Sequence, residues 1–165
     1  MPIVKVAPLQ RPVALIKLFL AGDVMTGRGI DQILPYPSVP FIPESYMDDA
    51  RDYVTLAERG NGAIPRSVTF DYIWGDGLAI LEQFDPDVRL INLETSVTQC
   101  DRYWPFKGIN YRMHPRNVPC LTAAGIDCCA LANNHVLDWG YEGLAETLAS
   151  LQDAGILPVG AGENA

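Results

Sequence analysis

The stretch that decides the fold reads Cys128-Cys129-Ala130-Leu131-Ala132-Asn133-Asn134-His135: five small or apolar residues, then an abrupt polar cluster. An unbroken apolar run of this length predicts a strand buried on both faces, because a strand with one wet face alternates. Three further stretches repeat the pattern. Residues 16–21 stop at Gly22-Asp23, residues 88–91 at Asn92-Leu93-Glu94, and residues 156–159 at Gly160-Ala161-Gly162. Helical periodicity fills the intervals. Tyr46, Ala50, Tyr53, Val54 and Ala57 share one face over residues 45–60, with Ser45 and Asp48 placed as a capping box. Leu78, Leu81 and Phe84 mark residues 74–84, and Leu144, Leu148 and Leu151 mark residues 141–154, which Gly155 is placed to end. Alternating strands and helices predict an α/β fold with a parallel sheet and right-handed crossovers.

Two stretches break the alternation. Residues 34–43 hold four prolines and predict an extended surface loop, and residues 106–114 predict a strand or small hairpin at the sheet's periphery. The chain has 165 residues, 48% of them hydrophobic, against about 150 for a typical domain, so one domain is expected. The balance of 20 Asp and Glu against 12 Lys and Arg, net −8, argues against nucleic acid as a partner. Residues 13–21 imitate a signal-peptide core, but Lys17 interrupts them and the run is about half the roughly 20 residues of a membrane span. The chain therefore reads as soluble or cytoplasmic, with no transmembrane segment. Cys100, Cys120, Cys128 and Cys129 include no Cys-x-x-Cys pair, and the last two read as buried core thiols.

In a parallel sheet the residues just past the strand ends share the carboxyl edge, where such folds bind ligands. That expectation gathers Asp23, Glu94, Asn133, Asn134 and His135 on one rim. Two carboxylates, amide oxygens and one imidazole make a mixed O/N donor set suited to Mg²⁺, Mn²⁺ or Fe. Structural uses compete for each residue: Asp23 as a turn or cap, Asn133-Asn134 as a tight turn, His135 as a satisfied core histidine. Asp138 is either the N-cap of the following helix or a partner of His135. Arg28, between Gly27 and Gly29, is placed to clamp a phosphate or carboxylate. Gly160-x-Gly162 matches a dinucleotide-binding turn formally, which leaves nucleotide binding as a weaker alternative. His114 reads as a loop residue.

Four segments together carry a resemblance: Gly22-Asp-Val-Met-Thr-Gly-Arg28, Asn92-Leu-Glu94, Lys107-Gly-Ile-Asn-Tyr-Arg112 and Ala132-Asn-Asn-His-Val-Leu-Asp-Trp-Gly140. They resemble the bacterial capsule-synthesis CapA family, also called the poly-gamma-glutamate synthesis (PgsA-type) family. The resemblance implies a layered α/β sandwich similar to the calcineurin-like metallophosphoesterases, of which this chain is the N-terminal portion. It implies residues 1–15 as an N-terminal extension and 16–165 as the domain, incomplete at its C-terminus, with 35–73 as a Pro-rich loop and helix insertion. A divalent metal centre is implied, dinuclear in such folds and holding Mn, Mg or Fe. Asp23, Glu94 and Asn134 match metal-binding positions, and His135 matches the acid or stabilising histidine. Arg28 would bind an anionic group, while Asn92, Asn133 and Asp138 support the ligands. The implied activity is metal-dependent hydrolysis of a phosphate or amide-like bond. The implied partners are an anionic small molecule or the poly-gamma-glutamate or capsule polymer, with envelope association and a requirement for the C-terminal part of the same protein. The chain departs from the phosphoesterase pattern in three ways. Met25 stands where a histidine follows the first Asp, Glu94 replaces an aspartate, and His114 and His135 are the only histidines. A non-catalytic assembly or polymer-binding subunit is the alternative.

Overall fold

Each of the four apolar runs becomes a strand of one parallel sheet. The structure, a computed structural model, describes residues 15–162; the expected extension up to residue 14 and the last three residues of the Gly160 motif lie outside them. The elements run β1 Leu18–Val24, α1 Arg28–Ile33, α2 Arg51–Asn61, α3 Gly77–Phe84, β2 Val88–Leu93, β3 Ser96–Val97, β4 Arg112–Met113, α4 Pro119–Ala123, β5 Cys128–Ala130, α5 Gly140–Asp153 and β6 Leu157–Val159, with 3₁₀ turns at Tyr72–Trp74 and Pro115–Asn117. Strand order is β1-β2-β5-β6, and β3 pairs with β4 in a separate two-stranded sheet. All of these pairings are parallel.

That order corrects one expectation. A row of aligned residues, Leu20, Leu90, Cys128 and Leu157, crosses all four strands. Its two ends are open to solvent, Leu20 at 65% and Leu157 at 60%. The alternate row carries Ala21, Ile91 and Cys129, packed in the core with Leu81, Leu121, Leu148 and Leu151. The strands are therefore not all buried on both faces. Right-handed crossovers between strands laid down in spatial sequence all pass on the same side of a sheet. Without a reversal of strand order, α3, α4 and α5 accumulate on one face, and among the described residues Leu18, Leu20 and Leu157 on the other stay exposed. Each fully buried aliphatic side chain on the covered face contributes about 1.5–3 kcal/mol.

Local boundaries shift for identifiable reasons. The apolar run of β1 continues through Gly22-Asp23, and β2 through Asn92, so these polar residues belong to the strands. The helix expected over 45–60 begins only at Arg51, after Ala50 as N-cap, and no Ser45–Asp48 capping box forms. Residues 40–50 instead close on themselves, with the Ala50 N–H donating to the Pro40 carbonyl at 2.7 Å and Ile42 N–H to Asp48 at 2.9 Å. The expected helix over 74–84 divides into the 3₁₀ turn and α3. Within 106–114 only Arg112–Met113 is a strand, and it pairs parallel with β3 rather than forming a hairpin. No helix among the described residues is long and apolar enough to cross a membrane.

Candidate functional site

β1 loses its register against β2 between Ala21 and Val24, and Asp23 sits there with φ 50°, a left-handed conformation that Asp tolerates better than most residues. The irregularity leaves the Asp23 carboxylate exposed at the strand end, where it accepts from Asn92 Nδ2 at 2.9 Å. The amides then form a relay. Asn133 Nδ2 donates to Asn92 Oδ1 at 2.9 Å and to the Leu93 carbonyl at 3.0 Å, while Asn133 Oδ1 accepts from the His135 backbone N–H at 2.9 Å. Three strand ends are thus joined side chain to side chain, and the turn after β5 is held so that His135 faces Glu94.

His135 is 5% exposed. Its Nδ1 lies 2.8 Å from Asp138 Oδ2; a carboxylate can only accept, so Nδ1 carries the proton and Nε2 presents a lone pair. Nε2 is 3.5 Å from Glu94 Oε1, a contact longer than a good hydrogen bond. Asp138 is wholly buried, and its charge is shared: it pairs with Lys107, accepts from the Tyr111 N–H at 2.5 Å and accepts from His135. Burial pushes His135 down to about 4, and the Lys107 and Arg28 charges add to this. The imidazole is therefore neutral near pH 7. Glu94 moves the other way: burial, and then the neighbouring Asp23 carboxylate, hold its carboxyl above the ordinary carboxylate range.

A second tier lies behind the histidine. The Tyr111 ring stacks on His135 with centroids 4.1 Å apart, and the Arg28 guanidinium lies 4.7 Å from the Tyr111 ring centre. Arg28 is itself buried, paired with Glu44 and bonded to the Tyr53 hydroxyl.

The donors suit a hard divalent cation in type and charge. The Asp23 carboxylate opposes ionisation of Glu94, which a cation would relieve, and Nε2 and the amide oxygens would add to an O/N set. Among the described residues, however, no three His, Cys, Asp or Glu side chains converge as a metal-holding group. Asp23, Glu94 and His135 are the side chains of this rim that could hold part of a metal's coordination shell.

The profile of the bacterial capsule synthesis protein PGA_cap family matches residues 17–165. The chain belongs to this family. Two strains of Mycobacterium tuberculosis carry a probable polyglutamine synthesis accessory protein that is 55% identical over 148 residues, covering 90% of this chain and 39% of the relative. An uncharacterized protein of Sinorhizobium fredii is 46% identical over 83 residues, covering 47% of this chain and 18% of the relative. The PGA_cap chain thus spans about two fifths of the mycobacterial relatives and less of the rhizobial one.

Within this PGA_cap chain, Asp23, Asn92, Glu94, Asn133 and His135 come together at the rim. Asn134 is exposed; its backbone carbonyl accepts from Lys107, and Asn133 rather than Asn134 supplies the side chain that joins the relay. Asp138 is the partner of His135, not a cap, since Trp139 is the N-cap of α5 without a capping side chain. Arg28 is spent on Glu44 and Tyr53 inside the protein rather than offered as an anion clamp. His114 lies off the rim, and its Nδ1 accepts from the Arg116 N–H at 3.1 Å. Gly160, at φ 79°, needs no nucleotide to explain it: a Cβ there would meet the Ala132 Cβ at 2.7 Å. Lys107, Tyr111 and Glu44 had no assigned role in the sequence, and Tyr53 was read only as a helix-face residue. The first two stand in the Lys107-Gly-Ile-Asn-Tyr-Arg112 motif, which is the signal that pointed toward them.

Proposed function

We propose that this chain supplies part of a metal-dependent hydrolase site, of the metallophosphoesterase-like sandwich type, serving capsule or poly-gamma-glutamate formation. The observation that carries the reading is the pair of opposed carboxylates, Asp23 and Glu94, facing the neutral Nε2 of His135 at parallel strand ends. Asp23 and Glu94 would hold a divalent cation, Mn, Mg or Fe, with Asn134 as the exposed amide at the same turn. A second ion of a dinuclear centre would draw on chain such as the relatives carry outside the matched 148 residues. A bound cation supplies Lewis-acid polarisation of a phosphoryl or carbonyl oxygen and lowers the pKa of water. The protein's own groups do the rest. Asp138 fixes the His135 tautomer and ring plane, Tyr111 clamps the ring, and Nε2 is aimed at the rim to take up a proton and return it to a leaving group.

Metal titration of this chain and of a relative-length protein, each with and without Glu94→Ala, tests the assignment. The expected result is loss of at least one bound ion; unchanged stoichiometry overturns it. Because Glu94 holds its proton more firmly than an ordinary carboxylate, metal affinity should weaken as the pH falls toward the carboxylate range.

A second reading is supported by Met25, whose thioether accepts from the Gly27 N–H at 3.2 Å instead of offering a hard ligand beside Asp23, and by the partial shell. On this reading the rim binds an anionic small molecule or the polymer, without turnover, as an assembly subunit. The name of the mycobacterial relatives, probable polyglutamine synthesis accessory protein, is compatible with either role. Turnover of a phosphoester or γ-glutamyl substrate that disappears in His135→Ala excludes the second reading.

A further inference from the structure

A cavity of about 270 Å³ lies between the proline-rich loop and the exit of β4, and it shares no lining residue with the rim. Tyr111 turns its ring to His135, while its neighbour Arg112 lines this separate space. Pro37, Ser38 and Val39 form one wall, and Gln99, Arg112 and His114 the other. One buried carboxylate sets the two walls against each other. Asp31 accepts from the Ser38 N–H at 2.6 Å and from the His114 N–H at 2.9 Å, so α1 holds both.

The donors inside lack an acceptor. Arg112 is half-buried; its Nη1 donates to the Cys100 carbonyl at 2.8 Å and its Nη2 to the Val39 carbonyl at 3.2 Å, with the guanidinium carbon 4.0 Å from the Trp139 ring centre. These partners are neutral and use two of the five N–H groups. Arg28 has Glu44, whereas among the described residues no carboxylate pairs with Arg112. Asp31 is occupied as above, Glu146 accepts from the Thr98 hydroxyl and the Gln99 N–H, and Asp101 is exposed. Burial lowers the Arg112 pKa in spite of these charges, the direction of a cation short of a counter-ion. Ser38 Oγ is shielded from solvent without a partner, which costs stability until something bonds it. His114 Nδ1 accepts from the Arg116 N–H, so Nε2 carries the ring proton. Burial and Arg116 hold His114 below its ordinary value against Asp31 and Glu146, so near neutral pH it donates without adding charge. A water occupies about 30 Å³, so the space exceeds a bare ion and admits a short carbon skeleton.

We infer that this cavity is a binding site for a small organic carboxylate. The carboxylate takes the free N–H groups of Arg112, with Ser38 Oγ and His114 Nε2 as further donors, and the carbon chain lies against Pro37 and Val39. One cationic side chain matches one negative charge. The site needs no metal and stands apart from the function proposed above.

The test titrates the chain in metal-free buffer near neutral pH with acetate, butanoate, butanamide and inorganic phosphate, following the Arg112 Nε–H and His114 ring signals by NMR. Butanoate should saturate, shift both signals and bind more tightly than acetate. Arg112→Gln should weaken butanoate roughly tenfold or more. Gln99→Glu places a like charge at an exposed position of the lining and should also weaken it, which keeps the test decisive should Arg112→Gln fail to fold. Butanamide binding as tightly as butanoate overturns the inference. So does phosphate binding more tightly than butanoate, or a folded Gln99→Glu protein with unchanged butanoate affinity.

Discussion

Asp138 places one buried carboxylate against both Lys107 and His135 Nδ1, and asparagine at this position keeps the shape while removing the charge. Asp138→Asn should lower unfolding stability by roughly 2–4 kcal/mol, near the lower end for a broken buried pair because Lys107 keeps 25% of its side chain exposed. Urea titration at neutral pH measures it. His135 yields a prediction about acid. Its pKa is about 4 in the folded protein, below the ordinary histidine value of 6.5, so on acidification the unfolded chain takes up the proton first. Stability present above pH 6.5 should therefore drain away as the pH falls toward 4, by up to roughly 3 kcal/mol. Unfolding curves recorded with chelator present should show this slope in the natural chain, and His135→Gln should flatten it; equal slopes would remove His135 as its source. Asp23, Glu94 and His135 were legible as rim residues because each stands at the end of an apolar run. The clamp behind them was not. Tyr111 reaches His135, and Glu44 reaches Arg28, across 24 and 16 positions of chain, contacts between separate elements that neither periodicity nor spacing signals.

Among the elements, the short turn from β1 into α1 is tightly constrained by backbone. A Cβ on Gly27 would lie 2.7 Å from the Arg112 carbonyl, a backbone atom of β4, so Gly27→Ala forces β4 and α1 apart. A loss of roughly 1–3 kcal/mol is expected, visible as a lowered Tm, whereas Gly22→Ala, with nothing within 4 Å of its Cβ, should have a far smaller steric effect. The cysteines divide by element as well. Burial holds Cys120 on α4 and Cys129 on β5 up to about 12 and raises Cys128, while Cys100 lies partly exposed between β3 and β4. Iodoacetamide at pH 8 should modify Cys100 alone in the folded chain and all four after unfolding; fast labelling of Cys129 would contradict its packing. Strands were readable because β5 and β6 are short and continuously apolar, and α5 because Leu144, Leu148 and Leu151 keep helical spacing over two turns. α1, at six residues, is too short to show a period. The start of α2 was misplaced because Tyr46 and Ala50 fit a helical face that the backbone bonds of residues 40–50 pre-empt.

For the whole molecule, strand order matters more than strand content, and order was the part no local pattern revealed. Monotonic winding leaves Leu18, Leu20, Val88 and Leu157 in the open, and Asn92, on the same side as Leu90, joins that bare face to the candidate site. An apolar surface of this extent promotes association in water. Sedimentation of this chain should show concentration-dependent self-association, and Leu20→Lys with Leu157→Lys should reduce it without unfolding the protein; unchanged sedimentation would assign association to another surface. The same winding has a consequence in time. β1 hydrogen-bonds to β2, and Leu18 aligns with Val88 seventy positions later, so closing that loop must precede any reward from the pairing. During synthesis β1 waits as a lone ribbon until Leu93 has left the ribosome, and in that interval Leu18 and Leu20 are as available to a chaperone as to the protein's own second strand.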